Sequence, residues 1–107
     1  MTVSIKDQGT GQLGTTKTTL YTCPASTQAI VKTITLTNTS GSTVKVNLYV
    51  QKDGTNSRRI CPKDMELKAG YTYKDNDVHT LDAADLVEGD ANVASVIDYS
   101  ISGVQEA

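Results

Sequence analysis

Few residues of this chain could carry out catalysis or bind a metal. His79 is the single histidine among 107 residues, and it lies between Val78 and Thr80 in a stretch predicted to be a β-strand. No serine occupies a nucleophile-elbow context, and no cluster of residues has the spacing of metal ligands. The sequence therefore predicts a structural role for His79 and a protein that is not an enzyme.

The run Asp75-Asn76-Asp77 offers side-chain oxygens of the kind that coordinate Ca²⁺. It lacks the glycine and the distal glutamate of an EF-hand loop. The pattern favours a solvated turn over a calcium site, and we expect no metal or cofactor.

Three glycines recur near the N-terminus, at positions 9, 11 and 14. A glycine-rich loop can cradle phosphate, but no Lys-Ser/Thr pair follows at the P-loop position and no strand–helix unit surrounds these residues. Residues 1–14 are predicted instead to form a flexible N-terminal arm, in which Met1–Ile5 could make a short strand. Such an arm could become ordered on a neighbouring subunit.

Each of the two cysteines, Cys23 and Cys61, precedes a proline at the edge of a predicted strand. The N-terminal residues lack the apolar core of a signal peptide, and no stretch is long and apolar enough to span a bilayer. We therefore expect assembly in the cytoplasm, no membrane association and cysteines that begin as thiols. Both are predicted to be small apolar core residues. A disulfide between them, formed after release into an oxidising medium, stays open.

Composition and charge disfavour a nucleic-acid partner. The formal net charge is −2, and the chain has no Phe and no Trp, whereas nucleic-acid affinity depends on Lys and Arg and on aromatic stacking. The charges are segregated along the chain: Lys45, Lys52, Arg58, Arg59 and Lys63 lie in the middle, and Asp75, Asp77, Asp82, Asp85, Glu88 and Asp90 follow. This segregation could orient head-to-tail contacts between copies.

The clearest secondary-structure signal is in the stretch Ala29–Val50, where two runs of alternating apolar and polar residues flank a short cluster of turn formers. The second run places four apolar residues on one face: Val44, Val46, Leu48 and Val50. The first run places Ile30, Ile34 and Leu36 on one face together with Lys32, the only misfit, whose stem could lie along apolar surface.

The connection Asn38–Ser42 between these runs has two interpretations. A tight hairpin would pair the strands directly and place Leu36 opposite Val44 and Ile34 opposite Val46. Alternatively, the loop arches between two sheets of a sandwich and buries the same faces without direct pairing.

Turn signals divide the remaining chain into further short strands. These are predicted within residues 15–22, 58–61, 65–67, 71–73, 78–81 and 81–89, and in a final strand with Ile97, Tyr99 and Ile101 on one face, followed by a polar tail from Gly103. Spacing of this kind predicts an all-β fold: a single antiparallel β-sandwich, jelly-roll or immunoglobulin-like, of about eight strands over residues 15–107.

Laid out in this order, the motifs resemble a group of small β-sandwich virion proteins of tailed bacteriophages. They are Leu20–Ala25, Ala29–Ile34, Asn38–Gly41, Val44–Val50, Ile60–Asp64, Leu67–Tyr71, Leu81–Gly89 and Ile97–Val104. Together they cover most of the chain from Leu20 onward. Cys23 and Cys61 stand where an aliphatic residue is more usual, and Ala84 stands where a turn glycine is common.

The resemblance implies a non-enzymatic structural component of the virion. The leading hypothesis is a capsid decoration, or cement, protein that binds the major capsid protein as a homo-oligomer, expected to be a trimer. A tail or fibre component is the alternative. A more distant one is a carbohydrate-binding module with Tyr49, Tyr71 and Tyr73 as an exposed platform.

Overall fold

The computed structural model describes residues 3–107, and these contain ten β-strands and no α-helix. No helix capable of crossing a membrane occurs in this part of the chain. The strands are β1 Val3–Gln12, β2 Thr18–Thr22, β3 Gln28–Asn38, β4 Val44–Gln51, β5 Ser57–Arg59, β6 Met65–Leu67, β7 Thr72–Asp75, β8 His79–Leu81, β9 Leu86–Ala91 and β10 Ile97–Glu106.

The strands form two antiparallel sheets that pack face to face. The first sheet has the order β1-β10-β3-β7, with β8 also paired to β3, and the second has the order β2-β9-β4-β5, with β6 also paired to β4. Because β5 and β6 share one edge position and β7 and β8 share another, each sheet has four strand positions. The resulting order of eight positions is that of a jelly roll, which confirms the predicted antiparallel β-sandwich.

Strands β3 and β4 lie in different sheets, so the arch interpretation of their connection is right and the hairpin interpretation is wrong. β3 pairs with β10 and β4 pairs with β9. The apolar faces of both strands meet across the core, which includes Ile34, Leu36, Val46 and Leu48, all with 0% of their surface exposed. Alternation is the same in either arrangement, because it reports which face is buried and not which strand is the neighbour.

The misfit Lys32 marks a β-bulge. Ser102 pairs with Thr33 and Gly103 with Val31, so Lys32 is the extra residue and the alternation of β3 changes phase there. Val31 is buried and Ile30 only half-buried. The prediction that Ile30 shares the buried face of Ile34 is therefore wrong.

The prediction of a flexible arm over residues 1–14 is wrong for the described part of that segment. Residues 3–12 form the edge strand β1, paired along its length with β10. The glycines make room for neighbours: a Cβ on Gly11 would lie 3.1 Å from the Tyr99 ring, and one on Gly9 would lie 2.9 Å from the Leu20 carbonyl oxygen. Met1 and Thr2 lie outside the described residues.

The last strand continues through the predicted polar tail, because β10 extends to Glu106 between β1 and β3. Gly103 lies at the bulge, where a Cβ would be 1.9 Å from the Ile30 carbonyl oxygen. Only glycine allows so close an approach of the two backbones.

Candidate functional surfaces

His79 and Asp75 form a structural pair. His79 Nε2 lies 3.0 Å from Asp75 Oδ2, and the other carboxylate oxygen, Oδ1, accepts a hydrogen bond from the Asp77 backbone N–H. Asp75 is buried, and the pair closes the turn between β7 and β8. Both oxygens of Asp75 are thus engaged within the chain, and within residues 3–107 no set of three His, Cys, Asp or Glu side chains is placed to hold a metal ion.

The two cysteines are free thiols in separate places. Cys23 is a core residue with 1% of its surface exposed, as predicted, and its Sγ lies 3.3 Å from the Thr27 carbonyl oxygen. Cys61 is half-buried against the core, and its Sγ accepts a hydrogen bond from the Leu48 N–H at 3.3 Å. Burial raises the pKa of both thiols, and the carboxylates of Asp85 and Asp82 raise that of Cys23 further. Both sulfurs are therefore poor nucleophiles at neutral pH.

The three tyrosines predicted as a sugar-binding platform do not share a face. Tyr49 lies on the outer face of the second sheet and is only 7% exposed. Tyr73 is opposite the inward-facing Leu36 and packs against the core. Tyr71 precedes β7 in a turn at one end of the molecule. The hypothesis of a tyrosine platform therefore loses its geometric basis.

A polar network covers the outer face of the second sheet around Asn47. Its Nδ2 donates to Asp64 Oδ1 and Asp90 Oδ1, while its Oδ1 accepts from the Arg59 guanidinium and the Asp64 backbone N–H. Tyr49 donates its hydroxyl to Asp90 Oδ2 at 3.0 Å. Burial, and then the hydrogen bond to Asp90, raise the pKa of Tyr49.

Two cations flank the Tyr49 ring in this network: Lys17 Nζ at 4.7 Å and the Arg59 guanidinium carbon at 5.0 Å from the ring centroid. Arg59, from the basic middle of the sequence, and Asp90, from its acidic part, are therefore neighbours in space. The charge segregation along the chain is partly lost in the fold.

The outer face of the first sheet has an apolar half. Val104 lies opposite Ile5 on one side and Ile30 on the other, so the three side chains form a row across the sheet. Ile5 is 91% exposed. Beside this row is a groove of about 280 Å³, which we call the acidic groove; its apolar lining includes Val3, Ile30, Leu81 and Val104, and its carboxylates are those of Asp82 and Glu106.

Buried Asn38 organises the loops at the other end of the same sheet. Its side-chain N–H groups donate to the carbonyls of Leu67 and Ser42 at 2.8 and 2.7 Å, and its backbone exchanges hydrogen bonds of 3.0 Å with Tyr71 and Gly70. The turn 68–71, which we call the Tyr71 turn, is closed by a hydrogen bond of 3.0 Å from Tyr71 N–H to the Lys68 carbonyl. The turn is therefore held rigidly.

The sequence indicated Tyr71, but it indicated neither the residue that holds the Tyr71 turn nor the acidic groove. In the sequence Asn38 is one of several turn-forming residues. Its role is not visible there, because its partners Ser42, Leu67 and Tyr71 come from three different segments. The lining of the groove comes from four strands that only the fold brings together. The exposed Val3-x-Ile5 pattern of β1 was the one available signal of an apolar outer face.

Comparison with known proteins finds similarity at the level of structure alone. No protein-family model matches the sequence, and no match was found among curated proteins. A chain in the structure of the infectious bursal disease virus Gx strain is similar over 97% of this chain, with a TM-score of 0.56 and 12% sequence identity. A chain in the structure of the Gt strain is similar over the same share, with a TM-score of 0.47 and 11% identity.

This chain spans only about a third of the length of the chain from the Gx strain, of which 32% is covered. At this level of identity the likeness shows a shared fold.

Proposed function

We propose that this protein is a non-enzymatic structural component of a virion. The observation that carries the proposal is the jelly roll, which extends over residues 3–107 and resembles part of a chain in an infectious bursal disease virus structure over 97% of this chain. Two further features support it. The outer face of the first sheet exposes an apolar row, and the outer face of the second carries a hydrogen-bonded polar network around Asn47. An exposed apolar patch of the first kind is a surface on which protein subunits can pack.

More specifically, we propose a capsid decoration protein of a tailed bacteriophage, assembled in the host cytoplasm and bound to the major capsid protein. The order of the sequence motifs supports this assignment. A homo-oligomer, a trimer, would bind where major capsid subunits meet. Repeated weak contacts then add up, because linked binding sites raise the effective concentration of one another.

The test is immunogold labelling of intact particles from a lysate that contains the protein, viewed by electron microscopy. We expect gold over the heads, and we expect the label to disappear when the antibody is first incubated with excess purified protein. Gold confined to tails would replace the decoration role with that of a tail or fibre component. Particles that carry no gold above the level of a pre-immune serum would overturn the virion role.

A further inference from the structure

The Tyr71 turn presents an aromatic side chain to solvent on a rigid support. Tyr71 is 61% exposed. Its backbone N–H nevertheless donates a hydrogen bond to the Lys68 carbonyl, and its carbonyl accepts one from the backbone N–H of the buried Asn38. A turn whose backbone is fixed in this way loses little backbone entropy on binding, and tyrosine is among the commonest residues that dominate protein interfaces. The turn is therefore suited to insert its tyrosine side chain into a pocket of a partner protein.

The acidic groove has a size and a lining that suit a tyrosine side chain. An apolar cavity of about 150 Å³ holds a benzene molecule, so a groove of about 280 Å³ has room for a phenol ring. Its apolar side chains would contact the ring, and Asp82 and Glu106 would lie beside it. Asp82 is exposed, and Glu106 is half-buried.

The two features lie at opposite ends of the first sheet. Gln28, at the start of β3, lines the groove, and Asn38, at its end, holds the Tyr71 turn. An eleven-residue strand is roughly 33 Å long. The Tyr71 turn therefore cannot reach the groove of its own chain.

We propose that the Tyr71 turn of one copy docks into the acidic groove of a second copy. The charges are complementary: Lys68 is exposed on the turn and has no carboxylate within 4 Å in the described part of the chain, and the groove carries two carboxylates. Because the two surfaces differ, the contact is heterologous and forms a ring if its rotation closes. This inference rests on the proposed function, which includes a homo-oligomer. It identifies the two surfaces that would be in contact in a cyclic trimer.

The first test is sedimentation velocity on the purified full chain over a range of concentrations, without particles. We expect association that weakens as NaCl is raised from 50 to 500 mM. Tyr71→Ala should weaken it by about thirtyfold or more, which is the effect of removing an interface residue worth about 2 kcal/mol. Lys68→Glu should weaken it as well. The matched control is Val93→Ala, another exposed apolar residue, 44% exposed, which should have no effect.

A mixing experiment tests whether the contact joins two different surfaces. Tyr71→Ala keeps an intact groove, and the double variant Asp82→Lys/Glu106→Lys keeps an intact turn. At a concentration at which the wild type associates and each variant alone is monomeric, an equimolar mixture of the two variants should form dimers and nothing larger, because only one productive contact remains.

A wild-type chain that stays monomeric at every concentration would overturn the proposal, as would association unaffected by Tyr71→Ala or a mixture that forms no dimers. Circular dichroism establishes that each variant is folded. Since no particles are present, these outcomes are independent of whether the protein binds a virion.

Discussion

At the scale of single residues, the buried Asn38 contributes to stability through hydrogen bonds to several separate segments. It is fully buried, and its side chain is bonded to Ser40, Ser42 and Leu67. We expect Asn38→Ala to lower the free energy of unfolding by about 3 kcal/mol, because the buried Leu67 carbonyl and the Ser42 carbonyl lose their donor and Ser40 loses its acceptor. Urea denaturation measures this loss. The control Asn92→Ala removes one exposed hydrogen bond, to Lys45 N–H, and should change stability by less than about 1 kcal/mol; equal losses in both variants would contradict the role of Asn38.

Ala84 is a second residue with a defined effect on stability. Its φ is 73°, in the left-handed region, and its N–H donates to the Cys23 carbonyl at 2.9 Å. Alanine in this conformation is strained by about 1–2 kcal/mol, and glycine is not. After the entropy that glycine adds to the unfolded chain, Ala84→Gly should stabilise the protein by roughly 0.5–1 kcal/mol.

Thermal denaturation of the Ala84→Gly variant measures this gain. The neighbour Ala83, which has no positive φ, is the control, and Ala83→Gly should lower the melting temperature. A lower melting temperature for Ala84→Gly too would show that the strain is absent.

At the scale of elements, β1 is part of the sandwich and not an attachment to it. It is paired with β10 from Val3 to Gln12, and its Gln8 is 5% exposed. Deleting residues 1–12 should therefore leave β10 with an unpaired edge and an uncovered core, and lower stability by several kcal/mol, or cause aggregation. The control Ile5→Thr changes a side chain that is 91% exposed and should stay within about 0.5 kcal/mol of wild type. A truncated chain as stable as the wild type would contradict this role of β1 and support the prediction of a flexible arm.

The sequence predicts where most strands lie better than it predicts which strands pair. Alternation located the strands around Leu48 and Ile101, since it depends only on the period of two. Pairing depends on contacts between distant segments, so the same pattern fitted both a hairpin and an arch at Asn38. Lys32 was the visible sign of a bulge, but a bulge and a charged residue lying along the surface look alike until the partner Gly103 is known. Similarly, the glycines of β1 suggested mobility, whereas they accommodate Tyr99.

At the scale of the whole molecule, the two outer faces differ in kind. The second sheet carries a charged network in which Asp90 and Arg59 are both engaged through Asn47, and the first sheet carries the apolar row and the acidic groove. The sequence predicted the exposure of Tyr71 but not its position opposite the groove, because that position follows from the direction of β3. The head-to-tail hypothesis, first suggested by charge along the chain, now depends on surfaces that the fold defines.

The core also makes the stability of the whole molecule sensitive to alkali. Burial is the largest cause of the raised pKa of Cys23 and Cys61, whose ordinary value is 9.0, and of Tyr21, Tyr49 and Tyr73, whose ordinary value is 10.0. At pH 7 these groups are protonated in both states and contribute almost no pH dependence. From about pH 8 upward the unfolded chain loses protons that the folded chain keeps, so stability falls as pH rises, by at most about 1.4 kcal/mol per pH unit for each group.

We therefore expect the free energy of unfolding in urea to be nearly level between pH 7 and about pH 8 and to fall by about 1–3 kcal/mol by pH 10.5. Cys23→Ala should make the decline shallower, because it removes one of the two thiols that ionise first, whatever it does to stability at pH 7. A free energy of unfolding that stayed level through pH 10.5 would show that these side chains ionise as readily in the folded protein as in the unfolded one.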